Sequence, residues 1–197
     1  MDLNPTETVR QILEETSAAH RRFAESGTDV VVRAADVIGQ ALLSGHKVLS
    51  FGNGGSASDA EHLVAELVGR FETERRSLAG VALTAVSSTV TAIANDYGYD
   101  RVFARQVEGL GVAGDVAFGI STSGRSKNVE LALAVAKAGG LTTIAMTGRD
   151  GGRMGADADI HLNVPEQSTP RIQEVHRTIM HAICSLIDAA VDARHGR

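Results

Sequence analysis

The chain has 197 residues, 43% hydrophobic and 22% charged, with 19 basic against 24 acidic side chains for a net charge of −5. That length points to one domain that buries a full core without staples. The absence of any long run of like charge argues against a non-specific grip on nucleic acid or an anionic membrane. Trp is absent and aromatics make up 4%, so a base-stacking platform is not expected. The single cysteine, Cys184, excludes an intramolecular disulfide and fits a reducing cytoplasm; its apolar setting reads as a packed thiol. No signal-type apolar segment opens the chain and no apolar run is long enough to span a membrane.

Asn4-Pro5-Thr6-Glu7 sets an N-cap, a first-turn proline and a capping-box glutamate in order, and Val9, Ile12, Leu13 and Phe23 continue a helical spacing. A second helix is predicted from about Asp29 to Ser44, closed by Gly45. Lys47–Phe51 reads as a buried strand, followed by a glycine loop and a helix from about Ala57 to Arg70. Val81–Leu83 is a weaker strand. Thr89–Asn95 and Tyr99–Leu110 read as helices, and Asp115–Ile120 as a strong strand. A helix over Lys127–Ala138, strands over Leu141–Met146 and Ile160–Val164, and a long helix from about Pro170 to Ala193 complete the pattern. Arg75-Arg76 and Asp150–Asp157 read as surface loops. Alternating strands and helices with short glycine turns predict an α/β fold with a parallel sheet covered on both faces. Residues 1–45 precede the sheet without a strand partner, which suits an oligomer interface, and 46–195 form the core of one domain spanning 1–197.

Ligands in open α/β sheets bind beyond the carboxyl ends of strands, near the point where strand order reverses. Two loops have the composition for it. Gly52-Asn53-Gly54-Gly55-Ser56 lets backbone approach a ligand and leads into a helix N-terminus. Ser121-Thr122-Ser123-Gly124-Arg125-Ser126 sets four hydroxyls around one glycine at another helix start, a cradle suited to a phosphate monoester. Neither loop has dinucleotide or P-loop spacing. Glycine turns with capping serines are the alternative reading of each.

His62 and Glu66 are four residues apart, on one face of the helix after the first loop. That spacing serves a metal or an acid–base pair equally, and occurs on solvated faces too. Gln173 and His181 lie eight apart on the last helix, about 80° around it, and can serve one site. His176 reads as structural, and His20, His46, His161 and His195 join no constellation. Asn95-Asp96 before Tyr97-Gly98 reads as a turn.

Taken in order, Gly52–Ala57, Asp59-Ala-Glu-His62, Ala65-Glu-Leu67, Thr91–Tyr97, Gly119–Gly124, Asn128-Val129, Thr147-Gly148, Gly151-Gly152 and Arg171–His176 through His181 resemble the phosphoheptose isomerase family of the sugar isomerase (SIS) fold. The resemblance covers residues from about 47 to 187. It implies a flavodoxin-like three-layer α/β/α sandwich and a homotetramer with sites at subunit interfaces. It implies the conversion of sedoheptulose 7-phosphate to D-glycero-D-manno-heptose 7-phosphate, the first step of nucleotide-activated heptose biosynthesis. It implies zinc held by His62, Glu66, Gln173 and His181, with Glu66 and His181 also the acid–base pair. Asn53, Gly54, Gly55, Ser56, Glu66, Arg70, Asn95, Asp96, Ser121, Thr122, Ser123, Ser126 and Gln173 match the positions that contact substrate.

The chemistry agrees with that assignment. Isomerisation through an enediol needs a base for the proton beside the carbonyl and an acid for its oxygen, and an imidazole shuttles protons near neutral pH. Two histidines and a carboxylate suit zinc, which polarises a carbonyl oxygen. Arg125 departs from the family pattern, which has Asn there, and is expected to face solvent. A non-catalytic relative of the same fold that binds a replication initiator is the main alternative, and the presence of both Glu66 and His181 weighs against it. A sugar-phosphate-sensing domain is a third reading, but no basic module precedes Lys47.

Overall fold

A computed structural model describes residues 4–195. Its elements run α1 (Pro5–Ser26), α2 (Thr28–Leu43), β1 (Val48–Gly52), α3 (Gly55–Val68), β2 (Gly80–Ala82), α4 (Ser87–Tyr97), α5 (Ala104–Leu110), β3 (Val116–Ser121), α6 (Lys127–Ala138), β4 (Thr142–Gly148), α7 (Gly152–Asp157), β5 (Ile160–Val164) and α8 (Thr169–His195). The Asn4 side chain accepts from the backbone N–H groups of Thr6 and Glu7, with Pro5 at the first helical position, as the opening tetrapeptide predicts.

All strand pairs are parallel, in the order β2-β1-β3-β4-β5. This is the flavodoxin-like order, and the chain leaves β1 and β3 toward opposite sides of their shared boundary. β1 and β3 are buried along their whole length because helices cover both faces, whereas β5, at the edge, alternates buried and half-buried residues. Val48, Val116, Phe118, Ile120, Ile144 and Leu162 face one core with α2, α3 and α8. Leu49, Phe51, Ala117 and Ala145 face a second core with α5, α6 and Met154 of α7. The expected α/β/α sandwich is therefore present.

Three local expectations are corrected. Gly152–Asp157, expected as part of a surface loop, is a short helix anchored by buried Met154. The helix expected over Tyr99–Leu110 is split: a 3-10 turn at Tyr99–Arg101 precedes α5, and Val102 and Phe103 are buried between the two. Arg75 is not a surface residue. Its side chain is 1% exposed and paired with Asp188 of α8, because the segment after α3 folds back under that helix.

One buried carboxylate ties the start of two neighbouring strands. Asp115 accepts from the backbone N–H of Lys47 (3.0 Å) and of Val112 (2.9 Å), and from Lys47 Nζ (2.6 Å). Burial pushes its carboxyl up, but the Lys47 ammonium and the two backbone donors outweigh that and hold it below the usual carboxylate value. The stabilisation is therefore complete above about pH 4 and is lost as pH falls through the lowered folded value. Asp115→Asn, which leaves Lys47 partly buried without its anion, is expected to cost about 3 kcal/mol in urea denaturation at pH 7. That difference from the unsubstituted protein is expected to shrink below pH 4.

Candidate active site

The two polar loops leave the carboxyl ends of β1 and β3, adjacent strands at the point where strand order reverses. Their floor is a reciprocal amide pair. Asn53 Nδ2 donates to Asn128 Oδ1 and Asn128 Nδ2 donates to Asn53 Oδ1, each at 2.9 Å, while the Tyr99 hydroxyl donates to Asn53 Oδ1 at 3.0 Å. The first loop is thereby fixed to the start of α6. In the second loop Ser121 Oγ lies 2.8 Å from Ser126 Oγ and 3.3 Å from Ser123 Oγ. Gly124 has φ +64°, and a Cβ there would collide with the Gly151 carbonyl, so the loop lies flat on the turn after β4. Gly55 lies close against the end of the Gln173 side chain, which an added Cβ would push aside. Gln173 thus meets the first loop from α8.

Farther along α3 and α8, a second group converges. His62 Nε2 lies 2.9 Å from His181 Nε2 and 3.2 Å from Glu66 Oε1. The rings of His62 and His181 are 5.1 Å apart, and Phe71 packs its ring 5.4 Å from that of His181. One donor atom from each of His62, Glu66 and His181 falls within 4.8 Å of the others. Two ligands bound to tetrahedral zinc at about 2.0–2.1 Å would stand about 3.3 Å apart, close to the observed spacings. Borderline nitrogen donors with one carboxylate also match the preferences of that ion, so the donor set fits zinc.

Charge around this group comes from α8. Arg177 donates to Asp59 Oδ1 at 2.6 Å and lies 3.5 Å from His62 Nδ1. Burial first, and the Arg177 guanidinium second, lower the His62 imidazole below its ordinary value, while Glu66 pulls the other way. The neutral ring, which is the ligating form, is favoured.

Other sequence-selected residues fall elsewhere. Arg70 is exposed, donates to the Phe71 carbonyl and approaches Glu74. Asn95 donates to Asp96 on the exposed end of α4, and Asp96 lines a separate groove with Val81, Val86 and Arg105. Arg125 points outward and pairs with Asp150, both mostly exposed. His176 is buried and bonds the Thr147 carbonyl at 2.8 Å. His20 and His161 bond Thr178 and Thr147, and His46 approaches Asp115. The side chain of His195 lies outside the described residues.

A phosphoheptose isomerase of Aliarcobacter butzleri is 54% identical over 167 residues, which span 85% of this chain and 88% of that relative. This chain belongs to the phosphoheptose isomerase family. The SIS domain model matches residues 11–148. A phosphoheptose isomerase of Aquifex aeolicus is 48% identical over 95% of this chain and 98% of its own. The solved structure of phosphoheptose isomerase GmhA from Neisseria gonorrhoeae superposes with a TM-score of 0.89 at 45% identity, covering 93% of this chain and 98% of that one. Membership of the phosphoheptose isomerases disfavours the binding-only alternative.

The sequence reading missed the roles of Asn128, Tyr99, Phe71, Arg75, Arg177 and Asp188. Asn128 and Asp59 stood inside the quoted motifs, but nothing local shows that one amide completes another's hydrogen bonds. Burial pushes the His176 imidazole down to about 4 despite the Thr147 carbonyl and Asp59. The unfolded chain therefore takes up this proton first, and stability falls between about pH 6.5 and 4 on that account. Nitrogen-detected NMR is expected to show the His176 ring neutral until about pH 4, and a midpoint near 6.5 would contradict that burial.

Proposed function

We propose that the chain isomerises sedoheptulose 7-phosphate to D-glycero-D-manno-heptose 7-phosphate through an enediol. The observation that carries this reading is the meeting of the Glu66 carboxylate with the His62 and His181 imidazoles between α3 and α8. Glu66 takes a proton from C1 of the ketose, exchanges it with water, and delivers a proton to C2 to give the aldose. His181 moves the proton between the two oxygens, protonating the former carbonyl oxygen and relieving the new one. The hydroxyls of Ser121, Thr122, Ser123 and Ser126, with the N-terminus of α6, receive the phosphate. Asn53, Gly54, Gly55, Ser56 and Gln173 orient the sugar, while Arg70, Asn95 and Asp96, which lie apart from them in the single chain, would complete the pocket across a subunit interface. His62, Glu66 and His181, with Gln173 as the fourth ligand the resemblance implies, would hold zinc, which would supply polarisation of the carbonyl oxygen. Glu66 cannot be a tight ligand and a free base at once, so metal content and turnover must be measured on the same sample.

The assembly reading is a homotetramer with sites between subunits. Two observations support it. Val9, Ile12 and Leu13 of α1 are 56%, 41% and 61% exposed, and an apolar groove of about 540 Å³ lies between α1, α2 and α8. These are the faces a second copy would cover. No helix among the described residues is long and apolar enough to cross a membrane.

Two outcomes are expected. Glu66→Gln, which keeps shape and removes the base, lowers kcat by about 10²–10⁴-fold with little change in KM, read by aldose formation from sedoheptulose 7-phosphate; an unchanged kcat would remove Glu66 from the mechanism. Leu13→Glu shifts the mass measured by light scattering from tetramer toward smaller species, and turnover falls with it.

A further inference from the structure

Below the cluster of Glu66 with the two histidines lies a charged pair that the proposed chemistry does not use. Arg75 Nε is 2.5 Å from Asp188 Oδ1, with the side chains 1% and 3% exposed. Arg75 Nη2 donates to the carbonyl of Glu66 at 2.7 Å, and Nη1 to the carbonyls of Leu67 (3.0 Å) and Arg76 (3.1 Å). Glu66 and Leu67 belong to the last turn of α3, where carbonyls lack helical partners and the macrodipole is negative. Asp188 Oδ2 accepts from the backbone N–H groups of Glu72 and Thr73 at 3.1 and 3.2 Å, fixing the chain that carries Arg75. Asp188 lies seven residues, two helical turns, beyond His181 on α8.

We propose that Arg75 and Asp188 form a positioning clamp for the acid–base pair, resting on the reading of Glu66 and His181 given above. The guanidinium grips the main chain of Glu66, and the carboxylate that holds the guanidinium belongs to the helix that carries His181. The clamp therefore fixes the axial register of α3 against α8, and with it the distance from Glu66 and His62 on α3 to His181 on α8. Only a planar fork of several donors reaches Asp188 and the Glu66 and Leu67 carbonyls together, and lysine's point charge cannot replace it. The side chain of exposed Arg76, next in sequence, takes no part in the clamp and donates instead to the Leu42 carbonyl at 3.3 Å.

The test uses Arg75→Lys and the paired substitution Arg75→Met with Asp188→Leu. The pair removes both charges together, so no buried ion is left alone, and folding is checked by circular dichroism before the other readings. Three quantities are read on folded protein: kcat and KM with sedoheptulose 7-phosphate, cobalt affinity by absorbance titration, and the imidazole NMR shifts of His62 and His181. A clamp predicts about a 10–100-fold loss of cobalt affinity and of kcat, KM within about twofold, displaced imidazole shifts, and no rescue by lysine. Wild-type kcat, cobalt affinity and imidazole shifts in the folded double variant would overturn it. If the unsubstituted protein neither turns over nor binds cobalt, the functional reading fails instead. The imidazole shifts then decide the clamp alone: displaced in the variants they support it, unmoved they refute it.

Discussion

The packing of α8 against α3 on one face of the sheet is the constraint on which the rest of the molecule depends. Both helices bury apolar stripes in the same core, with Ala60, Leu63 and Leu67 from one and Ile172, Val175, Ile179 and Ile183 from the other. Burying those stripes leaves little freedom in how the helices face each other. Their polar edges then meet at fixed heights. Gln173 touches Gly55 at the top, Arg177 meets Asp59 one turn lower, His181 meets His62 below that, and Asp188 holds Arg75 at the bottom. A seam of polar contacts more than a hundred residues apart in sequence is thus a by-product of ordinary apolar packing.

The other half of the site is set by the sheet. Since β1 and β3 are neighbours and the chain leaves them toward opposite faces, the two loops flank one crevice. A protein with a net charge of −5 is suited to an anionic ligand here only through local donors. Hydroxyls and helix N-termini supply them without bringing a fixed cation close to the reacting carbons. Arg125, the one cation in the second loop, is instead drawn outward by Asp150.

Much of this was legible in the sequence where the signal is local. The N-cap at Asn4, the continuous apolar runs of β1 and β3, and the two loops each carry their own punctuation. His62 and Glu66 share a face by spacing alone. The misses share one cause: their partners are distant in sequence. Arg75 looks like a solvated arginine because nothing near it announces Asp188, 113 positions away. The short α7, with glycines at two of six positions, has poor helix propensity and exists because Met154 finds a pocket in the second core. The break between Arg101 and Ala104 follows from burying Val102 and Phe103, a tertiary demand that helical periodicity does not display.

In the proposed reaction a carboxylate and an imidazole between α3 and α8 move protons at the carbons and oxygens of a seven-carbon ketose phosphate, so that its carbonyl shifts to the adjacent carbon. It is tested most directly by incubating the protein with sedoheptulose 7-phosphate in D₂O and following the sugar by proton NMR. Aldose bearing solvent deuterium at C2 is expected, since the proton taken from C1 exchanges with D₂O on the Glu66 carboxyl while the enediol waits. Aldose formed with no deuterium at C2 would indicate a direct hydride shift and contradict the role given to Glu66; no aldose at all from folded protein, with and without added zinc, would contradict the isomerase itself.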